Sequence, residues 1–296
     1  MIMENGTSIS EFLKKGKPLF SLEFFPPKNE SGGERMLKTA SVLKPYNPDF
    51  VSITYGAGGG TRRTTMKYAR MLKNDFGFEV MPHLTCVGHN KSELLEILEE
   101  FSNEGFCNVM ALRGDPPEGE TAFRPVQGGL CYATELVALV REYFPHFGIG
   151  VGGYPEKHPE SPNNEIDLVH LKEKVDAGAD FITTQLFFDN QVYFKFLADC
   201  QTEGIEIPII PGLLPVLSLG QVQRFCKMCD ASLPTLLNEK LQNASDEKQP
   251  GVGSDWAREQ VIELLNGGAP GFHLYALNQF SASVEILNGI KSLPPQ

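Results

Sequence analysis

Short apolar runs, many of them rich in β-branched or aromatic residues, alternate along the chain with stretches that repeat apolar residues at helical spacing. The runs predict strands and the amphipathic stretches predict helices. Strict alternation of the two favours parallel strands joined by right-handed crossovers. The predicted strands are residues 19–25, 50–55, 79–85, 108–112, 148–152, 181–187, 206–213 and 272–277. The predicted helices are residues 34–43, 65–72, 91–101, 134–143, 168–177, 192–200, 219–228 and 281–290.

Eight strand–helix units fit an α/β fold of the TIM (β/α)8 barrel type, with residues 1–296 forming one domain. An open doubly wound sheet is the alternative, and periodicity does not separate the two. Residues 56–61 are glycine-rich but lack the G-x-G-x-x-G spacing of dinucleotide-binding sheets, which favours the barrel. This stretch can form a tight turn or a phosphate cradle, and the turn is the favoured interpretation.

An unusually long segment separates the seventh and eighth predicted strands. Residues 231–241 and 256–265 have helical patterns, which predicts extra helices in this segment. Residues 243–254 are rich in Asn, Asp, Gly, Ser and Pro, which predicts a mobile loop between them.

Charge and cysteine usage narrow the class of partners. The net charge of −11, without a basic stripe interleaved with aromatics, disfavours nucleic acid. The N-terminus lacks the apolar core of a signal peptide and no run could cross a bilayer, so we expect no membrane association and a cytoplasmic location. Six scattered cysteines predict reduced thiols. Cys226 and Cys229 form an isolated C-x-x-C in a predicted helix, so no metal site is expected.

Two charged motifs stand at strands where ions are costly to bury. Arg113-Gly114-Asp115 follow the fourth strand and precede two prolines, which predicts a loop at the C-terminal mouth of the barrel, the active-site face of that fold. Glu23 lies among apolar residues of the first strand. Burial should raise its pKa towards a value that suits a general acid. A salt-bridged structural carboxylate is an equally weighted alternative.

Polar residues recur at the ends of other strands, which favours a site over a scatter of core polar groups. They include His83, the segment 154–159 and Gln185. The sequence contains no serine elbow, H-E-x-x-H or Walker A motif, so the chemistry is expected to need an organic cofactor. His273 and Trp256 have no motif around them, and a packing role is expected for each.

Eight motifs follow one another in a fixed order between Ser21 and Asn278. They are EFFPPK, FVSITYGAGG, PHLTC, ALRGDPP, YPEKHPE, KVDAGADFITTQLFFD, IIPGLLP and FHLYALN. Together they resemble the methylenetetrahydrofolate reductase family, in the bacterial form that has only the catalytic barrel. The resemblance implies FAD at the C-terminal face of the barrel and NADH or NADPH as reductant. It further implies reduction of 5,10-methylenetetrahydrofolate to 5-methyltetrahydrofolate in a ping-pong sequence that feeds methionine synthesis. We also expect a homo-oligomer.

The resemblance also implies roles for individual residues. Glu23 matches the general acid, and Asp115 matches a carboxylate between flavin and pterin. The positions that match FAD contacts are Thr54, Tyr55, Ala57, His83, Arg113, Gly114, Asp115, Tyr132, Ala133, Tyr154, His158, Asp167, His170 and Lys174. The positions that match substrate contacts are Gln185, Gln221, Phe225 and Gln279.

The sequence departs from the family pattern at three of these positions or beside them. Gln279 stands where an arginine is usual, His170 replaces a common asparagine, and Glu173 replaces a common arginine near the FAD.

Two other functions stay open. One is a folate-binding barrel that transfers one-carbon units without flavin, which the combination of His83, Arg113, Asp115 and Tyr154 disfavours. The other is a subunit that a partner protein reduces in place of NADH.

Overall fold

A ring of parallel strands forms the centre of the molecule. The structure is a computed structural model that describes residues 6–55, 62–116, 119–120 and 122–291. All strand pairs are parallel, in the order β7-β6-β5-β4-β3-β2-β1-β9-β8. The strands are β1 (Leu19–Phe24), β2 (Phe50–Ile53), β3 (Val80–Thr85), β4 (Asn108–Leu112), β5 (Gly148–Gly153), β6 (Phe181–Thr184), β7 (Ile209–Ile210), β8 (Gly212–Leu213) and β9 (Gly271–Tyr275).

The two shortest strands, β7 and β8, are the halves of the predicted seventh strand. Pro211 separates them because proline has no N–H to donate to a ladder, while its carbonyl still accepts the N–H of His273 at 2.9 Å. β7 pairs with β6 and β8 pairs with β9, so this one segment brings the ends of the sheet together. The result is a nearly closed parallel α/β barrel. The barrel prediction is confirmed, and the open-sheet alternative is wrong.

Helices surround the barrel, and asparagine, aspartate or serine side chains cap the first turns of several of them. A 3₁₀ turn, Lys44–Tyr46, follows the second helix. The helices are α1 (Ile9–Leu13), α2 (Glu30–Leu43), α3 (Arg62–Asn74), α4 (Lys91–Asn103), α5 (Ala133–Tyr143), α6 (Asn164–Asp176), α7 (Asn190–Thr202), α8 (Leu219–Cys229), α9 (Thr235–Asn243), α10 (Gln249–Asn266) and α11 (Ser281–Lys291). Among the residues described, no helix is long and apolar enough to span a membrane.

The extra helices predicted before the last strand are present as α9 and α10, but the mobile loop between them is wrong in extent. Helix α10 begins at Gln249, whose buried side chain accepts the N–H of Leu219 at 2.8 Å. Gly253 packs so closely that a Cβ there would lie 1.9 Å from the carbonyl oxygen of Val216. Tertiary contact therefore orders a stretch whose composition indicated a loop.

The interior of the barrel changes from apolar to polar along its axis. Near the N-terminal ends of the strands it is filled by an apolar cluster, against which α1 packs. This cluster consists of Ile9, Leu19, Phe50, Met81, Met110, Phe181 and Ile210. Two residues further along β1, β2, β3 and β9, the inward positions are polar. Those positions are Ser21, Ser52, His83 and His273, and all four side chains are buried.

Candidate active site

Glu23 lies at the C-terminal end of β1, directly above this polar layer. The residue is 7% exposed. Its Oε2 accepts a hydrogen bond from Ser52 Oγ at 3.3 Å. The same oxygen lies 3.4 Å from His83 Nε2 and 3.5 Å from His273 Nε2. The strand register brings these groups together, because Glu23 pairs with Ser52 on β2 and with Tyr275 on β9.

This environment lowers the pKa of Glu23. Burial alone raises the pKa, but the hydrogen bond with His273 and the positive charges of His83 and His273 outweigh burial. The expectation of a raised pKa is therefore wrong, because the sequence around Glu23 shows its apolar neighbours and not the histidines across the barrel. Burial lowers the pKa of His83.

His273 is the main residue that the sequence reasoning missed. It is 1% exposed, its ring stacks on Phe50, and its Nδ1 is 2.8 Å from Ser21 Oγ. Stacking fits the expected packing role, yet the position of Nε2 beside Glu23 goes beyond it. The alternation of β9 is the signal that could have found it, since His273 and Tyr275 face the same side of a strand that neighbours β1.

Arg113 and Asp115 follow β4 in the loop that the prolines predicted. The Arg113 guanidinium binds both carboxylate oxygens of Glu160, at 2.6 and 2.7 Å, and lies 5.1 Å from the ring centre of Phe123. Asp115 is exposed. Gly114 has φ +88°, and a Cβ there would lie 2.7 Å from Val87 Cγ1, so this turn requires glycine. Glu160 is a second residue that sequence reasoning missed.

The loop after β5 lies beside this pair. The rings of Tyr154 and His158 meet edge to face, with centres 4.6 Å apart. Asp167 on α6 fixes the loop by accepting the N–H of His158 at 3.1 Å and the hydroxyl of Ser161 at 2.8 Å. Burial raises the pKa of Tyr154, and the charges of Asp115 and Asp167 raise it further. Electrostatic coupling therefore joins the loops after β4 and β5.

Lys174 is a partly buried cation of α6. Its Nζ donates to the carbonyl of Gly152 at 2.6 Å. Burial lowers its pKa to about 8, and the charge of Asp167 opposes that shift. The two departures on the same helix, His170 and Glu173, pair with each other at 3.2 Å on the exposed side. The side chain of Lys174 therefore contacts the end of β5, whereas the side chains of His170 and Glu173 are exposed to solvent.

The other positions that match FAD contacts lie around the same mouth. Thr54 follows β2, where its N–H donates to the carbonyl of Phe24 at 3.0 Å. The Tyr55 hydroxyl lies 3.1 Å from His89 Nε2, so that side chain already has a polar partner. Tyr132 is 63% exposed and precedes Ala133, the first residue of α5. Ala57 and the glycine-rich stretch 56–61 lie outside the described residues.

The positions that match substrate contacts lie in two places. Gln221 and Phe225 are one turn apart on α8, so they share a face, and the buried Gln221 Oε1 accepts the N–H of Leu217 at 2.6 Å. Phe225 packs with an apolar cluster that includes Leu186, next to Gln185 at the end of β6. Gln185 Oε1 accepts the N–H of Leu186 at 2.9 Å.

Gln279 is exposed, in the loop after β9. The preceding residues Leu277 and Asn278 have φ of 50° and 54°, an unusual conformation for residues other than glycine. The Asn278 amide holds this loop against the loop after β1, because it accepts the N–H of Phe25 at 3.0 Å and donates to its carbonyl at 2.8 Å. Gln279 therefore stands at a fixed place on the rim of the barrel, near the end of β1.

A family model described as methylenetetrahydrofolate reductase matches residues 8–291. The chain belongs to the methylenetetrahydrofolate reductase family. Methylenetetrahydrofolate reductase (NADH) 1 of Arabidopsis thaliana is 39% identical over 291 residues, which cover 94% of this chain and 49% of the plant protein. The chain thus spans about half the length of the plant relatives it matches. The 5,10-methylenetetrahydrofolate reductase of Escherichia coli is 36% identical, with 95% and 93% of the two chains covered.

Solved structures agree on the fold of this family member. An uncharacterized Clostridium thermocellum protein, described as binding two copies of 5-methyl-5,6,7,8-tetrahydrofolic acid, has a TM-score of 0.64 at 16% identity over 96% of this chain and 99% of that one. A 2,3-dimethylmalate lyase of the PEP mutase/isocitrate lyase superfamily has a TM-score of 0.53 at 9% identity, over 95% and 81%. At these identities the likeness concerns the barrel alone.

The donor groups at the mouth fit the FAD that this family implies. Lys174 has three N–H donors and Arg113 has five, which suits phosphate oxygens and flavin carbonyls. Within the described chain, His83 Nε2 and Thr85 Oγ1 are buried without a hydrogen-bond partner. Buried polar atoms of this kind need a ligand or water to satisfy them. Arg113 and Lys174 therefore fit the anionic part of the cofactor, and His83 and Thr85 fit its polar edges.

Proposed function

We propose that this protein reduces 5,10-methylenetetrahydrofolate to 5-methyltetrahydrofolate, with NADH or NADPH as the hydride source. The observation that carries the proposal is Glu23, a nearly buried carboxylate that two histidines and a serine hold at the C-terminal mouth of the barrel. Family membership supports the same reaction. Opening the five-membered ring of the folate needs a proton at the departing nitrogen, and Glu23 is placed to pass one to it.

FAD, when bound, supplies a two-electron carrier between nicotinamide and folate. Arg113, His158 and Lys174 would hold its anionic part, with Asp167 fixing the loop that carries His158. Asp115 is exposed and ionisable, so its oxygens can accept the N–H groups of a pterin. Gly114 keeps the backbone of this loop close to β3, where a side chain would collide with Val87.

Gln185, Gln221 and Phe225 would form the wall that receives the two substrates in turn, as a ping-pong sequence requires. Phe225 offers an aromatic face that stacks on either a nicotinamide or an aminobenzoyl ring. The two amides can turn from their present backbone partners to donate to a substrate, since each amide has both donor and acceptor atoms.

The decisive test is anaerobic mixing of the purified protein with NADH and, separately, NADPH, followed by addition of 5,10-methylenetetrahydrofolate. We expect a yellow protein whose flavin absorbance is bleached by a nicotinamide and restored by the folate. A colourless protein that binds folate would replace our proposal with a one-carbon carrier. In a third outcome, neither nicotinamide bleaches the flavin, but the folate reoxidises it after chemical reduction. That result would indicate a subunit reduced by a partner protein.

We further propose that the chain is one domain, acts in the cytoplasm as a homo-oligomer, and supplies a methyl donor for methionine synthesis. One continuous nine-stranded sheet supports a single domain. A molar mass in solution above the 32.7 kDa of one chain would support the oligomer. A mass equal to that of one chain would contradict it.

A further inference from the structure

A serine and a histidine lie behind Glu23, on the side away from the mouth. Ser21 and His273 are paired across β1 and β9, and the two residues are 0% and 1% exposed. Ser21 Oγ is 2.8 Å from His273 Nδ1, and His273 Nε2 is 3.5 Å from Glu23 Oε2. Ser21 and His273 therefore lie at one level of the barrel, and Glu23 lies one level nearer its mouth.

The donor and acceptor atoms of Ser21, His273 and Glu23 determine which protonation states of the His273 ring they can stabilise. His273 Nε2 lies 3.5 Å from two groups, Glu23 Oε2, which only accepts when ionised, and Ser52 Oγ, which can donate or accept. Nδ1 donates in the cation; in the neutral ring it either accepts, with hydrogen on Nε2, or donates, with Nε2 accepting from the Ser52 hydroxyl. Ser21 satisfies both states: its hydroxyl can donate to Nδ1, or it can accept from Nδ1 and donate to the carbonyl of Phe272 at 3.4 Å. The ring can therefore gain or lose a proton without leaving a nitrogen unpaired.

The other groups that face Glu23 and His273 lack this property. His83, from β3, has Nε2 close to Glu23 but no hydrogen bond at that atom within the described chain. Tyr275, from β9, meets the His273 ring edge-on at 5.4 Å and donates its hydroxyl to Thr184 O, while burial raises its pKa. Ser52, from β2, does not titrate; its hydroxyl lies 3.3 Å from Glu23 Oε2 and 3.5 Å from His273 Nε2, so it can donate to either.

We propose that His273, held by Ser21, stores the proton that Glu23 delivers, an inference that rests on the function proposed above. The Nε2–H bond of the charged ring breaks as an O–H bond forms on Glu23 Oε2. That O–H bond then breaks as an N–H bond forms on the folate nitrogen that leaves the methylene carbon. The ring ends neutral, with the hydrogen on Nδ1 held by Ser21 and Nε2 able to accept from the Ser52 hydroxyl, and Glu23 ends as a carboxylate. A proton from solvent restores the ring through Glu23, which reaches the mouth. Ser21 and His273 are thus positioning residues that act through Glu23.

The test uses two variants and two readouts. Ser21→Ala keeps the shape of a small buried residue and removes the Nδ1 partner, while His273→Gln keeps a donor near Glu23 but stores no proton. The first readout is ¹⁵N NMR of histidine-labelled protein without substrate, in which the His273→Gln spectrum identifies the His273 signals. We expect the wild-type His273 signals to change with pH as the ring loses a proton, and Ser21→Ala to move that change towards acid.

The second readout is the pH profile of the folate half-reaction. Ser21→Ala should move its alkaline limb towards acid by a similar shift, whereas Ser52→Ala, which removes a donor from the carboxylate, should move it the other way. Ser283→Ala, which removes a buried hydroxyl in α11, is the matched control and should leave the profile unchanged. Reduction of the flavin by NADH should keep its wild-type profile in all variants.

A His273 ring that stays neutral across the range, or a midpoint that Ser21→Ala does not move, would overturn the proposal even if the protein reduces folate. An alkaline limb that His273→Gln leaves in place would also overturn it. Conversely, a ring that titrates in a Ser21-dependent way in a protein that does not reduce folate would refute the proposed function while leaving the proton-storing pair intact. If His273→Gln fails to fold, the pH profile of Ser21→Ala still decides the matter.

Discussion

The two ends of the candidate site are held by different kinds of structure. At one end Glu23 stands on β1 and is fixed by side chains of β2, β3 and β9, all of them buried. At the other end Arg113 and His158 stand on loops, and the partner of Arg113 is the half-exposed Glu160. On the proposed function, the chemistry that needs precise placement would lie on the rigid strands, and a large cofactor would bind at loops that can adjust to it.

This comparison predicts that substitutions at the strand end change the rate of one step, while substitutions at the loop end change affinity. The largest effect is expected for Glu23→Gln. It keeps the shape but cannot donate a proton, so the folate half-reaction should fall by about 10²–10⁴-fold, with a far smaller loss in flavin reduction by NADH. Rapid-mixing absorbance measures each half-reaction. Equal losses in both would mean that Glu23 is a structural carboxylate.

At the loop end, Arg113→Ala should weaken FAD retention by about ten- to a hundred-fold, since a charge-assisted hydrogen bond contributes about 1.5–3 kcal/mol. Glu160→Gln is the matched variant, and its expected effect on FAD affinity has the opposite sign. It releases the guanidinium from a partly exposed ion pair, so FAD should bind up to about fivefold more tightly. Fluorescence titration of the cofactor-free protein gives both values. Weaker binding in Glu160→Gln would show that Glu160 orients Arg113 and does not compete for it.

Lys174 allows a pH test of the same end. Its pKa of about 8 lies below the ordinary 10.5, so the unfolded chain binds more protons between these values and the folded state gains stability as pH rises across that window. FAD affinity should move the opposite way, because only the ammonium attracts phosphate, with a fall of up to about tenfold per unit above pH 8. In Lys174→Arg, which stays charged, that fall should vanish. A wild-type affinity that stays flat up to about pH 9.5 would place the phosphates elsewhere.

The smallest effect is expected at the rim. An amide matches a carboxylate poorly, so wild-type Gln279 should discriminate little among folates with tails of different length. Gln279→Arg should improve kcat/KM for polyglutamate over monoglutamate substrates by up to about fivefold, the range of an exposed ion pair. Gln279→Lys tests whether charge alone suffices. Identical ratios in wild type and Gln279→Arg would show that the tail does not reach this loop.

The sequence by itself determined the class of fold and predicted a site at the C-terminal mouth of the barrel. The eight apolar runs set the strands to within a few residues because each one has to face the core on at least one side. The Arg113-Gly114-Asp115 motif followed by two prolines could only stand at the end of a strand. The motifs in fixed order were enough to indicate the family, since local sequence encodes the turns and termini that carry them.

Only the tertiary structure decided the state of Glu23 and the groups that act on it. The hydrogen bond between Ser21 and His273 joins residues 252 positions apart, through closure of the barrel between β1 and β9. The pairs Arg113–Glu160 and Asn278–Phe25 likewise depend on loops that meet only after folding. The pKa of a group is set by the charges and dipoles within a few ångströms of it, and separation along the sequence does not give those distances. For this reason the apolar neighbours of Glu23 predicted a raised pKa, and the histidines that reach it across the barrel lower it.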